Sequence, residues 1–308
     1  MFFIAKNVIK QAKYFTYSII SQIQQIVNGI TAKRGKFSSF FKNIFPKFDF
    51  FIIIRYNRIT MEKYEHKKEF QAKYCDVDFK DELKVSSVLA YMEEAACSSA
   101  DELGFGYAYV KPRGYAFMVS NIYVEFIRPI VISEKFILKT WPTPPTYAVF
   151  GREYQFLTEN NELLTNASSR WCLIDMNNGK LLQSKVIDNQ DYSTYNTSKA
   201  IENVAWKIPT FAPEDGELRF TICIANSEYD HNMHVNNTRY ADYCLNVFSV
   251  EELSKKRLST FSISYVKQCK EKDILRFYRK NEGAGVFLVQ GFNENGERVV
   301  QARIQFEN

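Results

Sequence analysis

A chain of 308 residues, 46% hydrophobic and 24% charged, is too apolar for wholesale disorder and long enough for one large domain or two of ordinary size. Lysine and arginine outnumber aspartate and glutamate by 40 to 35, but the excess is local: residues 1–60 carry ten basic side chains against one acid, Asp49, which leaves the remainder mildly acidic. A nucleic-acid binder needs basic residues on its folded part, interleaved with stacking aromatics, and no such stripe follows residue 60. The six cysteines form no C-x-x-C pair, which argues against a zinc ribbon and reads as reduced thiols.

In chain order the basic leader, 1–60, comes first. Residues 14–32 are uncharged, yet Gln22, Gln24, Gln25 and Asn28 make them too polar to span hydrocarbon. Phe15, Ile19, Ile23, Ile26 and Ile30 recur at helical spacing and fit a surface-seeking amphipathic helix in weak contact with a membrane. No small-residue cleavage site follows a short apolar core, so no signal peptide is read. The readings of this segment are an extension ahead of a functional start at Met61, a membrane contact, or a transit segment. The first expects a cytoplasmic protein and the last a plastid-type organelle.

The N-terminal half, 61–185, opens with Val85, Val88, Leu89, Met92, Ala96 and Leu103 on one apolar face, which predicts a helix ending near Gly104. Strands are expected at 115–127, 134–141, 148–158 and 163–174, with turns at Asn160-Asn161 and Asn178-Gly179. Residues 186–205 are polar, rich in Ser, Thr, Asn and Asp, and read as a linker. The C-terminal half, 206–308, repeats the order. Ala241, Cys244, Leu245 and Phe248 mark a helix within 236–253, and strands are expected at 261–269, 273–279, 285–292 and 298–306, with a turn at Asn295-Gly296. This predicts an α+β fold made by tandem duplication, each half a sheet wrapped around a helix. The seam between helix and sheet is apolar and suits an acyl chain, and Met92, Ala95, Ala96 and Ser99 are placed to set the depth of that cavity.

The stretch from Asn226 to Asn237 concentrates carboxylate, amide and imidazole at a helix N-terminus, where free backbone N–H groups stabilise charge growing on a carbonyl oxygen. Asp230 is placed to orient the imidazole or help activate water, His234 to shuttle a proton, and Asn232 to orient water or the substrate carbonyl. The N–H groups of Val235 and Asn236 are the carbonyl-polarising candidates. Asp and Asn here equally serve as caps and turn formers. His231 and His234 stand three residues apart, but His66 is the only other histidine, so neither a metal nor a dissociable cofactor is expected.

The run Asp230-His231-Asn232-Met233-His234-Val235-Asn236-Asn237, followed by Tyr240, resembles the D-x-N-x-H-V-N-N-x-x-Y signature of the acyl-acyl-carrier-protein thioesterases. The resemblance extends over about residues 62–308 and includes Thr140-Trp141, Ser168-Ser169-Arg170-Trp171, Asn178-Gly179-Lys180-Leu181 and Tyr265-Val266-Lys267-Gln268-Cys269. It implies tandem hot-dog domains that hydrolyse the thioester between a fatty acyl chain and its carrier's phosphopantetheine arm. It further implies that Asp230, Asn232 and His234 form most of the catalytic group while the first half holds the acyl chain. The family usually has Glu immediately before the Cys of the later strand, and this chain has Gln268. An amide does not accept a proton as a carboxylate does, so Gln268 would hold the water and leave proton removal to Asp230 or His234. Cys269 as a nucleophile paired with His234 is the alternative; neighbours on a strand face opposite sides, so Gln268 and Cys269 are not expected to serve one site. Glu271 falls in an exposed turn. The expected activity is release of free fatty acid from acyl carrier protein. The alternatives are an acyl-CoA thioesterase of the same fold or a non-catalytic acyl-thioester-binding module. An acidic carrier would dock on a local basic patch, with Lys111, Arg113 and Lys267 as candidates, and a homodimer is compatible with the duplication.

Overall fold

The apolar face that begins at Val85 folds as α1 (Val85–Glu102), burying Val85, Val88, Leu89, Met92, Ala95, Ala96 and Ser99. The computed structural model describes residues 63–187 and 190–307, so the readings of 1–60 lie outside the described residues. A short helix, α2 (Tyr107–Val110), follows α1. In the second half α3 (Asn237–Leu245) buries Tyr240, Ala241, Tyr243 and Cys244 and packs against α1. The helix expected over 236–253 is broken. Asn246 ends α3, the buried Val247 and Phe248 turn the chain, and Ser249 starts α4 (Val250–Ser254) with a capping box to Glu252.

Among the described residues, eleven antiparallel strands surround these helices. They are β1 (His66–Gln71), β2 (Tyr115–Phe126), β3 (Lys135–Pro142), β4 (Val149–Leu157), β5 (Leu163–Asp175) and β6 (Lys180–Leu182) in the first half. The second half has β7 (Glu217–Cys223), β8 (Leu258–Tyr265), β9 (Ile274–Gly283), β10 (Val286–Phe292) and β11 (Arg298–Phe306). They form one sheet in the order β1-β3-β4-β5-β2-β8-β11-β10-β9-β7, with β6 paired to β5. Read from either end the order is the same once each element is matched to its counterpart. That symmetry is what a tandem duplication produces, with α1 and α3 as the two central helices. The halves join where β2 pairs with β8, in a register that sets Ile122 against Ile263 and Val124 against Phe261, all buried.

The two outermost strands, β1 and β7, escape the hydrophobic pattern because each has one sheet neighbour and carries solvent-exposed charge: Lys67 and Glu69 on β1, Glu217 and Arg219 on β7. The expected turns are where the chain reverses, with Asn161, Gly179 and Gly296 in the left-handed region at φ of 65°, 69° and 72°. The polar segment expected as a linker, over its described residues 186–187 and 190–205, is laid down on the first half. Ile187, Tyr195 and Ile201 are buried in it, Trp141 Nε1 donates to the Ser198 carbonyl at 2.9 Å, and the Ala200 N–H donates to Glu153 Oε2 at 3.1 Å.

Candidate active site

Two neighbouring loops of the second half build the polar part of the site. The first precedes α3 and is closed by a short bridge in which the Asp230 N–H donates to the His234 carbonyl and the Asn236 N–H to the Glu228 carbonyl, each at 2.8 Å. Inside it the Asp230 carboxylate oxygen Oδ1 accepts from the N–H groups of Asn232, at 2.8 Å, and His234, at 3.2 Å. Met233 takes the left-handed conformation, φ 61°, and stands exposed at the tip. Asn236 caps α3, its side chain accepting from the Thr238 N–H at 2.9 Å. Asp230 is therefore first a loop-former, an Asx turn that aims Asn232 and His234.

This geometry corrects the assignment of Asn236 as a carbonyl-polarising donor: its N–H is already committed to Glu228. The Val235 N–H makes no such bond among the described residues and remains the candidate.

The second loop leaves β8 at Tyr265. The strand expected over 261–269 stops there because the N–H groups of both Val266 and Lys267 turn onto one acceptor, the Val299 carbonyl, at 2.9 and 3.1 Å. Gln268 is exposed and faces the cavity, whereas Cys269 turns inward, 2% exposed. The opposite facing inferred for the two holds, on a loop rather than a strand. Burial pushes the Cys269 thiol up, and its partner is the Tyr240 hydroxyl. A buried neutral thiol away from the cavity lining is a poor nucleophile, so the Cys269 alternative loses its geometry. Glu271 lies in the exposed turn expected of it.

Tyrosines tie the two loops together. The Glu271 N–H donates to the Tyr229 hydroxyl at 2.6 Å, and the Tyr265 hydroxyl donates to the Asn237 carbonyl at 3.1 Å. Asp230, Asn232, His234 and Gln268 thereby line one cavity of about 740 Å³. The side chains of Asn232, His234 and Gln268 hydrogen-bond to no other described residue. The wall opposite is largely apolar and comes from the first half, through Phe105, Val110, Phe117, Phe150, Trp171 and Ile174.

On α1 the cavity-facing stripe is Glu93, Ala96, Cys97 and Ala100, at the three- and four-residue spacing of one helix face. Of the four residues expected to set cavity depth, only Ala96 belongs to it. Met92 and Ala95 point into the core, 1% and 0% exposed, and the buried Ser99 hydroxyl accepts from Arg152 Nη1 at 2.9 Å and from the Tyr64 hydroxyl at 3.1 Å. The hydrophobic periodicity located the buried face, but the face toward the cavity lies one residue round the helix from it. Cys97 opens onto the cavity, yet desolvation there lifts its thiol to about 11. Glu93 is the site residue that the sequence reading missed. Burial raises its carboxyl above the usual carboxylate range, and the charge of Asp230 adds to the rise.

At the rim, Lys111 and Lys267 line the cavity. Lys111 donates to the Tyr107 hydroxyl, the Tyr107 ring meets His231 edge-on at 5.8 Å, and Lys267 pairs with Glu297. Arg113, the third basic candidate, stacks on Tyr109 at 3.8 Å and donates to its carbonyl, outside the lining.

If Asp230 acts by holding its loop, Asp230→Ala and Asp230→Asn differ. The alanine variant loses the Oδ1 acceptor, and a displacement of order 1 Å in the groups it aims is expected to lower kcat about 100-fold. The asparagine variant keeps an acceptor at that position and is expected to stay within about tenfold of wild type. Steady-state kinetics of the two variants side by side checks this.

A central helix wrapped by an antiparallel sheet, built twice around a cavity that takes its histidine-bearing loop from the second half, is the double hot-dog architecture. Comparison with known proteins agrees. The model described as the acyl-ACP thioesterase N-terminal domain matches residues 62–189, and that of the C-terminal domain matches residues 217–308. The chain is 20% identical over 275 residues to the chloroplastic oleoyl-acyl carrier protein thioesterase of Coriandrum sativum, covering 81% of this chain and 72% of that protein. Among solved structures, an acyl-ACP thioesterase from Bacteroides thetaiotaomicron superposes with a TM-score of 0.72 at 23% identity, over 79% of this chain and 98% of that one. The 12:0-ACP thioesterase from Umbellularia californica also gives 0.72, at 16% identity, over 79% and 97%. The chain belongs to the acyl-ACP thioesterase family and is a thioester hydrolase.

Proposed function

We propose that this enzyme hydrolyses the thioester between a fatty acyl chain and the phosphopantetheine arm of acyl carrier protein, releasing free fatty acid and ending chain elongation. The observation that carries this reading is the cavity itself: apolar walls from the first half meet the side chains of Asn232, His234 and Gln268 from the second, which hydrogen-bond to no other described residue. Its volume of about 740 Å³ falls in the range of roughly 300–1,000 Å³ usual for small-molecule sites. The acyl chain lies against the apolar wall, and the thioester carbonyl accepts from the Val235 N–H, which offsets charge as it grows on the oxygen. Asn232 and Gln268 hold the attacking water, and His234 returns a proton to the leaving thiolate. Gln268 acts here as an orienting amide, since it has no basic oxygen comparable to a carboxylate.

The carrier supplies negative charge, and Lys111 and Lys267 at the cavity rim are placed to meet it. The test is a side-by-side assay of the full chain on acyl carrier protein and on coenzyme A bearing the same acyl groups, over graded chain lengths. We expect kcat/KM on the carrier to exceed that on coenzyme A at least tenfold and the advantage to shrink as salt screens the rim lysines. Equal or higher kcat/KM on coenzyme A would move the substrate assignment to acyl-CoA.

A further inference from the structure

Hydrolysis needs a group that takes a proton from the attacking water, and the residues on the two polar loops supply it poorly. Gln268 is an amide, and one oxygen of Asp230 is engaged by two backbone N–H groups of its own loop. Among the described residues lining the cavity, two carry a carboxylate, Asp230 and Glu93. Glu93 comes from α1 in the first half and occupies the same helical stripe as Ala96, Cys97 and Ala100, whose small side chains leave the space in front of it open. It lies within electrostatic range of Asp230, His231 and Tyr265, and all three also line the cavity. No hydrogen bond or ion pair to another described residue occupies its carboxylate.

We propose that Glu93 is the general base of the reaction, a catalytic residue contributed by the half of the molecule that otherwise holds the acyl chain. The assignment rests on the thioesterase reading and adds the proton acceptor it lacks. Water bonds through its oxygen to the thioester carbonyl carbon as one of its protons passes to the Glu93 carboxylate, giving a tetrahedral intermediate with charge on the former carbonyl oxygen. That intermediate collapses, the carbon–sulfur bond breaks, and the phosphopantetheine sulfur leaves with a proton delivered by His234. The products are one fatty acid and one thiol, and transfer of the proton held on Glu93 to His234, directly or relayed through water, resets the site. One active centre therefore draws residues from both duplicated halves, and the half without the histidine motif is needed for more than binding.

Burial and the nearby charges of Asp230 and Glu94 keep the Glu93 carboxyl protonated to higher pH than an ordinary carboxyl, while His231 acts in the opposite sense. His234, Lys111 and Lys267 line the same cavity, as do the neutral thiol of Cys97 and the hydroxyl of Tyr265. A base works only when deprotonated, so kcat/KM should rise with pH through an acid limb that lies above the ordinary carboxylate range.

The experiment measures kcat, KM and the pH profile of the full-length enzyme, Glu93→Gln and Glu93→Asp on acyl carrier protein, with thermal melting of each. Glu93→Gln keeps the shape and is expected to lose at least 100-fold in kcat with KM within threefold, and its acid limb should disappear. Glu93→Asp should retain that limb with an intermediate rate, and it takes over as the decisive variant if the glutamine protein does not fold. Glu93→Gln with kcat within threefold of wild type overturns the assignment. So does a loss of activity that leaves the acid limb in place, as a merely structural role would. If wild type itself releases no fatty acid from acyl carrier protein, the substrate reading fails instead.

Discussion

Replacing His234 with alanine is expected to lower kcat by about 10²–10⁴, the range for loss of a positioned acid–base group. The fold should be little affected. The imidazole is half-buried and hydrogen-bonds to no other described residue, while the backbone N–H that meets Asp230 Oδ1 survives the change. If the imidazole acts on the leaving thiolate and contributes little to ground-state binding, KM stays nearly constant and the loss appears in kcat. His231 serves as the internal control. It is exposed, and its ring leans on Tyr107, so His231→Ala at the same loop should cost far less. A His234→Ala protein that keeps kcat within threefold of wild type would place the proton transfer elsewhere.

The second large effect concerns chain length. Ala96 is 7% exposed and faces the cavity from α1, between Glu93 and Ala100. Ala96→Phe puts a ring into that space, roughly the volume of four methylenes of acyl chain. At about 0.8 kcal/mol for each buried methylene, excluding four of them removes about 3 kcal/mol of binding, or roughly a hundredfold in kcat/KM for long chains. Chains short enough to stop before the ring should keep near-wild-type values, so the preference shifts shorter instead of all activity falling. Met92→Ala, one turn earlier but turned into the core, should instead lower stability by about 2–5 kcal/mol with little change in relative chain-length preference. A panel of acyl groups assayed on both variants separates the cavity face of α1 from its core face.

Much of the fold was legible because its elements are long and their burial is one-sided. α1 begins at Val85 as its apolar spacing implies, and strands such as β2 and β11 lie within a residue of their alternation pattern. Legibility fails where local polar contacts decide the outcome. Ser249 and Glu252 close a capping box that splits the second helix, and two N–H groups converging on the Val299 carbonyl end β8 before Gln268. The edge strands β1 and β7 fail for another reason, since a strand with one open side carries charge and loses its apolar run.

The site divides in the same way. Asp230, Asn232 and His234 were legible as a contiguous motif, and the structure brings them to one cavity with Gln268. Glu93 was hidden because Glu93-Glu94 reads as the solvent side of an amphipathic helix. Only the packing of α1 against α3 turns one of the pair toward the cavity and leaves Glu94 exposed. The available signal was the stripe of small residues following it, Ala96, Cys97 and Ala100, which marks a helix face that leaves room for a ligand. The backbone donors were mislaid similarly. Both Val235 and Asn236 precede α3, but only the bridge to Glu228 determines which of the two N–H groups is spent.

The most direct test of the account is a multiple-turnover reaction of the full-length enzyme with acyl carrier protein carrying a single defined acyl chain, following free fatty acid and free phosphopantetheine thiol together. Both products are expected in equal amounts, far in excess of enzyme, and the rate is expected to collapse in His234→Ala while binding of the acyl carrier persists. Saturable binding of the acyl carrier by the wild-type protein with no release of thiol or acid would contradict it.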